Sequence, residues 1–490
     1  MMAALTREDL SQLAEKALAE GTEEAAERRI GEWLDRHPED AVLLHWRAML
    51  RRALDRRDEA IDALKRALRI APDNGGVLHA LAHVTLEAGL PASKLFEQAI
   101  RLMPAKAELR LGLASARFAE GQGDRGLAEL KAMLAANAGW MEGHRQFAQI
   151  SALTGRADTA LASIQAALRR FPQGDALRKL GIDLLMEAGR YLQALEVLDA
   201  AIAQQGLLPP YAVLRAAALS EAGRSEEADS LFEELGPPAD AGHAVWLVRH
   251  RLRTGDAEAA AREIEPWLSA AGAQGVWPYA ALAWRLTGDE RAEWLDGRSG
   301  LCKVVDLDTD EIGLDRLRSL LRRLHAGSGR FLDQSVRGGT QTEGPLLARI
   351  DPEITRVREV LRREVARFAS QLPPPDPHHP MLSQDRHRRP RFSGSWSVRL
   401  SDAGFHTAHH HPQGWISSAL YLSVPDDLAA NEGWLDIGTA PSDLRADLPV
   451  RMSVEPRAGR LVLFPSWMWH GTRPFRSGER LTIAFDVARA

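Results

Sequence analysis

The chain has 490 residues, more than one hydrophobic core usually serves, so at least two domains are expected. A formal net charge of -5 gives no general attraction to nucleic acid or anionic lipid, and the single cysteine, Cys302, excludes an internal disulfide and fits a reducing compartment. No apolar run is long enough to span a bilayer, and the opening Met1-Met-Ala-Ala-Leu-Thr-Arg-Glu-Asp-Leu10 meets acidic residues too early for a signal peptide. A soluble cytoplasmic protein with no membrane or nucleic-acid partner is expected.

Residues 1–290 are rich in Ala, Leu, Glu and Arg, with apolar residues at helical spacing. Gly21, Asp55, Gly89, Gly121, Gly155, Gly189, Gly223, Gly255 and Gly288 are separated by 34, 34, 32, 34, 34, 34, 32 and 33 residues. Five positions after most of them stands a small residue: Ala26, Ala60, Gly126, Ala160, Ala194, Ala228 or Ala260. Pro38, Pro72 and Pro172 fall seventeen positions after their turns. The glycine permits a sharp turn between antiparallel helices, the small residue lets those helices approach, and the proline stops the second one. This punctuation resembles the tetratricopeptide repeat, which stacks helix pairs into a superhelix, here about eight to nine of them. Lys94 occupies one small-residue position and marks that repeat as degenerate. The array carries no catalytic constellation; a protein or peptide partner is the expectation it raises.

After Gly288 the punctuation stops, and residues 291–490 read as a second domain. Its helical part, 300–372, shows one face in Leu314, Leu317, Leu320, Leu321 and Leu324. Another helix starts at Asp351-Pro352 and buries Ile354, Val357, Leu361, Val365 and Phe368. Across 391–488, runs of strand character alternate with turn residues: Phe392–Leu400, Ile416–Val424, Gly433–Thr439, Val450–Glu455, Arg460–Phe464 and Arg480–Val487. The fold class read from this order is multidomain: an all-α repeat superhelix, then an α+β domain with a double-stranded β-helix (jelly-roll) core.

Four imidazoles, His406, His409, His410 and His411, fall just before the run from Ile416. On an extended segment His409 and His411 share a face, because side chains alternate with period two. His470 follows the apolar run Arg460–Phe464 across a short aromatic loop, and Arg480 and Thr482 share a face of the last strand. This order resembles the iron(II)- and 2-oxoglutarate-dependent oxygenases. The motifs Gln334-Ser-Val-Arg-Gly-Gly-Thr-Gln-Thr342, His409-His-His-Pro-Gln-Gly-Trp-Ile-Ser-Ser418 and Leu463-Phe-Pro-Ser-Trp-Met-Trp-His470 narrow the likeness to a bacterial branch fused to tetratricopeptide repeats. The resemblance implies Fe(II) bound by His409, His411 and His470, and 2-oxoglutarate anchored by Arg480 with Thr482 and Tyr421 as hydroxyl partners. Trp415, Trp434, Trp467 and Trp469 are expected to shape and dry the pocket, helped by the strand glycines Gly433 and Gly459.

The likeness has one departure. The superfamily has Asp or Glu two residues after its first metal-binding His, and His411 stands there instead. Asp402 or Asp436 are alternative carboxylate donors, and His406 an alternative to His409; His406 and His410 are otherwise expected to point away or line the rim. Gln334–Thr342 reads as a polar loop that touches the substrate or closes over the pocket, and Arg386–Arg391 as a solvated basic loop or a docking lip. His378, His379 and His387 read as ordinary satisfied polar residues. The function expected is dioxygenase hydroxylation of a protein or peptide recruited by the repeats. Its rivals are a repeat adaptor with a degenerate barrel and a cupin-like three-histidine metalloenzyme that does not use 2-oxoglutarate.

Overall fold

Residues 5–270, 272–325 and 335–489 are described in the structure, a computed structural model. They form two compact units, Met1–Ser163 with Glu343–Glu359, and Ile164–Thr342 with Val360–Ala490.

Most repeats are built as their punctuation predicts. The nine turn positions from Gly21 to Gly288 all take left-handed backbone, with φ between 62° and 86°. Asp55 is the non-glycine among them, and aspartate is one of the few residue types that tolerate this region. Helix pairs such as Arg7–Glu20 with Glu23–Leu34 and Ala41–Ala53 with Arg57–Ile70 result. Among the described residues eight such pairs run to Ile264, and the single helix Trp277–Thr287 ends the array. Pro38, Pro72 and Pro172 follow helices that stop at Leu34, Ile70 and Arg170.

The repeat with Lys94 has a specific reason for its irregularity. Its second helix begins at Ser93, two residues later after the turn than most of its counterparts, so the fourth helical residue is Phe96 rather than a small residue. Phe96 is fully buried and Lys94 exposed. The facing helix, Glu108–Ala119, makes room with Gly112, where a Cβ would lie 2.2 Å from the Phe96 ring. Glycine-to-alanine in a helix ordinarily stabilises by about 0.5–1 kcal/mol. Here the overpacking wins, and Gly112→Ala is expected to lower stability by about 1–3 kcal/mol. The check is the urea midpoint of the full chain; Phe96→Leu combined with Gly112→Ala should recover part of the loss.

The second unit holds the β-structure. Its strands are β1 (Lys303–Asp306), β2 (Val336–Gln341), β3 (Phe392–His406), β4 (Ile416–Ser423), β5 (Leu435–Ile437), β6 (Met452–Val454), β7 (Arg460–Pro465), β8 (His470–Thr472) and β9 (Arg480–Val487). An antiparallel six-stranded sheet has the order β1-β7-β4-β9-β3-β2, and a three-stranded sheet the order β6-β5-β8. The domain is therefore a jelly-roll with helices, as its strand runs predict. Ile416, Leu420, Leu461, Leu463, Ile483 and Phe485 are buried through the large sheet. The helices Leu314–His325 and Pro352–Ser370 bury the apolar faces expected of them, from Leu314 to Leu321 and from Ile354 to Phe368.

Three strands depart from the sequence reading. The stretch taken as a polar loop contains β2, which pairs with β3 across a bulge at Arg337/Gly339. Two adjacent glycines and no alternation hide it. β1 is four residues long and β8 three, too short to show a period. Gln334 itself lies outside the described residues.

Within this unit the last repeat helices pack on the barrel. Arg249 and Arg253 of helix Ala241–Thr254 both pair with Glu221 and reach Asp443, at 2.8 and 3.0 Å. The Trp469 indole donates to the Pro278 carbonyl at 2.9 Å, and its ring packs edge-on against Tyr279. Repeat and barrel residues thus share one packed body around the His470 loop. Among the described residues no helix is long and apolar enough to cross a membrane.

Candidate metal centre

Beyond the end of β3, the chain from Thr407 to His411 runs antiparallel to the segment that leads into β8. His409 N–H donates to the His470 carbonyl and His470 N–H to the His409 carbonyl, both at 2.9 Å, and His411 N–H donates to Ser466 at 2.8 Å. This extended pairing puts His409 and His411 on one face and His470 opposite them. One ring nitrogen from each of the three lies within 4.8 Å of the others.

The outward nitrogens are all occupied. His409 Nδ1 donates to the Thr407 carbonyl at 2.8 Å and His470 Nδ1 to the Met468 carbonyl at 3.0 Å. His411 Nδ1 meets both carboxylate oxygens of Asp486 at 2.9 Å. These partners only accept, so each Nδ1 carries a hydrogen, and in the neutral ring the lone pair is left on Nε2. Burial, with the neighbouring imidazoles second, holds His470 well below its ordinary pKa and brings His409 down to about 3. Neutral imidazoles oriented from behind suit a divalent transition metal.

Arg480 lies in the wall of the same cavity, with His406, Thr482 and Trp396. It is 3% exposed and has no carboxylate partner among the described residues. Its guanidinium donates to the Gly433 carbonyl and the Tyr421 hydroxyl, each at 3.2 Å, sits 4.8 Å above the Tyr421 ring, and leaves Nε unsatisfied. Burial pulls its pKa below the usual arginine value and pushes the Tyr421 phenol up. A buried cation with an idle donor and three histidines with metal-suited nitrogens thus line one cavity.

The other candidates separate cleanly. His406 lines the cavity, its ring stacked 5.7 Å from His409 and its Nδ1 bonded to Ser335. His410 points away, against Trp469 and Tyr279. Asp436 is spent on Arg473 and Ser453 and is not in the histidine group. The Asp402 side chain lies outside the described residues. Gly433 gives Arg480 its carbonyl, and Gly459 N–H donates to Tyr421.

Residues 394–486 match a family described as "Putative 2OG-Fe(II) oxygenase". The chain thus joins an array of helix pairs to a C-terminal region similar to that putative 2OG-Fe(II) oxygenase family. Among solved structures, a Pseudomonas putida prolyl-4-hydroxylase is similar at 19% identity, over 39% of this chain and 94% of its own, with a TM-score of 0.28. YrrB, a TPR protein described as having an unusual peptide-binding site, is similar at 19% identity over 34% of this chain and 88% of its own, with a TM-score of 0.28. A tetratricopeptide repeat protein from Parabacteroides merdae is similar at 16% identity over 48% and 93%, with a TM-score of 0.31. No curated protein matches.

The tryptophans expected in the oxygenase pocket are elsewhere. Trp415 donates to Met381, Trp467 packs on His379, Trp469 donates to the Pro278 carbonyl, and Trp434 lies beneath Arg473. The indole in the wall is Trp396 on β3. His379 is a satisfied core histidine, bonded to Leu295, Met381 and Leu382. Arg386 spends two donors on the Leu372 and Pro373 carbonyls. The residue overlooked in the sequence is Asp486. Period two along β9 from Arg480 through Thr482 and Ala484 would have brought it to the same face.

Proposed function

We propose that the oxygenase domain is an Fe(II)- and 2-oxoglutarate-dependent dioxygenase that hydroxylates a protein or peptide substrate. His409, His411 and His470 would hold the metal, and Arg480 would bind the distal carboxylate of 2-oxoglutarate with Tyr421 and Thr482 beside it. The observation that carries this reading is the guanidinium without a counter-ion in the wall of the three-histidine cavity. A cupin-like three-histidine enzyme that does not use 2-oxoglutarate has no need of it.

Iron and 2-oxoglutarate, when bound, supply the oxidising chemistry that places one oxygen atom of dioxygen on a substrate C–H bond and converts 2-oxoglutarate to succinate and CO₂. The chain's own residues bind, orient and exclude water. Thr407, Met468 and Asp486 hold the three imidazoles in one tautomer. Arg480 offers a planar pair of donors that a lysine could not match on a carboxylate. Phe464, Leu435 and Ala484 form the apolar part of the wall. The repeat helices from Ala241 to Thr287 pack beside the His470 loop, which supports delivery of a peptide to the domain.

The test is oxygen-dependent turnover. The full chain with Fe(II), 2-oxoglutarate and air is expected to release succinate, and removal of Fe(II) by a chelator is expected to stop it. A partner captured by a His470→Ala variant should gain the mass of one oxygen on treatment with the unaltered protein. Absence of succinate with every co-reactant present would favour the adaptor reading.

A further inference from the structure

Asp486 is a largely buried carboxylate that meets no Lys or Arg among the described residues. Its side chain is 14% exposed. Its described partners are the His411 ring and the Ser417 hydroxyl, which donates to Oδ1 at 2.5 Å and lies 3.0 Å from the Ser466 hydroxyl. Gly414 leaves the space this chain of hydroxyls needs, since a Cβ there would sit 2.6 Å from Ser466 Oγ. A carboxylate removed from water and left without a positive partner is costly, unless the positive charge arrives by another route.

The route is through the ring of His411. His409 and His470 back onto neutral carbonyls; His411 alone backs onto a full negative charge. His411 also stands where the wider superfamily has its metal-binding acid. The cavity wall has no Asp or Glu and already contains Arg480, so a dication bound by three neutral imidazoles would meet only positive charge there. We infer that Asp486 is the carboxylate of this metal centre, set one residue back: a positioning residue that supplies the negative charge to the metal through His411. This rests on the reading of His411 as a ligand. Hydrogen-bonding the far nitrogen of a ligating histidine to a carboxylate fixes the ring and raises its basicity, so part of the anionic character reaches the metal.

Charge and mere orientation make different predictions, because Asp486→Asn removes the charge and keeps an acceptor. Fe(II) affinity of the full chain would be measured by anaerobic equilibrium titration. Asp486→Asn is expected to loosen Fe(II) about 10- to 100-fold. The sign should reverse when His411→Asp puts an acid directly at the metal. The two carboxylates would then abut and repel, and adding Asp486→Asn to His411→Asp should tighten Fe(II) binding. Ser417→Ala, which leaves the charge undivided on His411, should bind Fe(II) as tightly as the unaltered protein or more so. Metal-free Asp486→Asn should melt no lower than the unaltered protein, since the charge removed faces no Lys or Arg among the described residues.

Equal Fe(II) affinity for Asp486→Asn and the unaltered protein would overturn the inference. So would an equal loss from Asp486→Asn in both backgrounds, or a Ser417→Ala loss as large as that of Asp486→Asn, which would mark orientation alone. Failure of the unaltered chain to bind Fe(II) would overturn the metal-centre reading itself, a result distinguishable from an indifferent Asp486→Asn in a chain that binds.

Discussion

Arg480→Leu is expected to abolish 2-oxoglutarate binding while leaving Fe(II) binding in place. In the metal-free protein this guanidinium touches one carbonyl and one phenol and leaves Nε unsatisfied, so its removal strips no ion pair from the fold. Loss of one partner from a buried charge pair costs about 3–5 kcal/mol, roughly a few hundred- to a few thousand-fold in Kd for the carboxylate left behind. Apo stability should stay level or rise, because a desolvated charge has gone. Arg480→Lys should recover little, since a point charge cannot reproduce a planar pair of donors. Tyr421→Phe should cost about tenfold or less, the range of a single neutral hydrogen bond. The check is calorimetric titration of 2-oxoglutarate into the anaerobic Fe(II) protein. Unchanged 2-oxoglutarate affinity in Arg480→Leu would return the domain to the cupin-like reading.

The second large effect is expected at His470. Its ring contributes one hydrogen bond to the fold, to the Met468 carbonyl, while its backbone makes the paired bonds with His409. His470→Ala should therefore fold and lose Fe(II). The drop should exceed roughly 100-fold, the upper range for losing even the outer partner of a ligating histidine. His409→Ala should behave alike. His410→Ala supplies the control: its ring packs against Trp469 and Tyr279, so Fe(II) affinity should not change. His406→Ala should widen the cavity without altering a stoichiometry of one metal per chain. Iron content after anaerobic loading and desalting reads all four. A His410→Ala variant that lost its iron while His409→Ala kept it would reassign the ligand set.

How much of this was legible beforehand depends on the physical scale of each signal. The repeat turns were readable because left-handed backbone restricts residue type, and Asp55 obeys the restriction as well as the glycines. The Phe96 repeat shows in the sequence only as degenerate, because a two-residue delay in its helix moves the tight position off Lys94 and its compensation, Gly112, lies in the next helix. His409 and His411 were paired by strand alternation alone. β2 escaped because its pairing with β3 is not written in its own residues. The tryptophans misled for a similar reason: an aromatic beside a motif says nothing of which side of the sheet it faces. Asp486 escapes the sequence reading although its strand is correctly placed, because its approach to His411 is a contact between distant segments that neither one's own residues reveal.

The most direct test of the central claim, one site for iron and 2-oxoglutarate together, is an anaerobic visible spectrum. A weak charge-transfer band is expected that needs both Fe(II) and 2-oxoglutarate, is missing in His409→Ala, and fades on admission of air as succinate forms. Fe(II) binding that is indifferent to 2-oxoglutarate, with no band at any concentration, would contradict it.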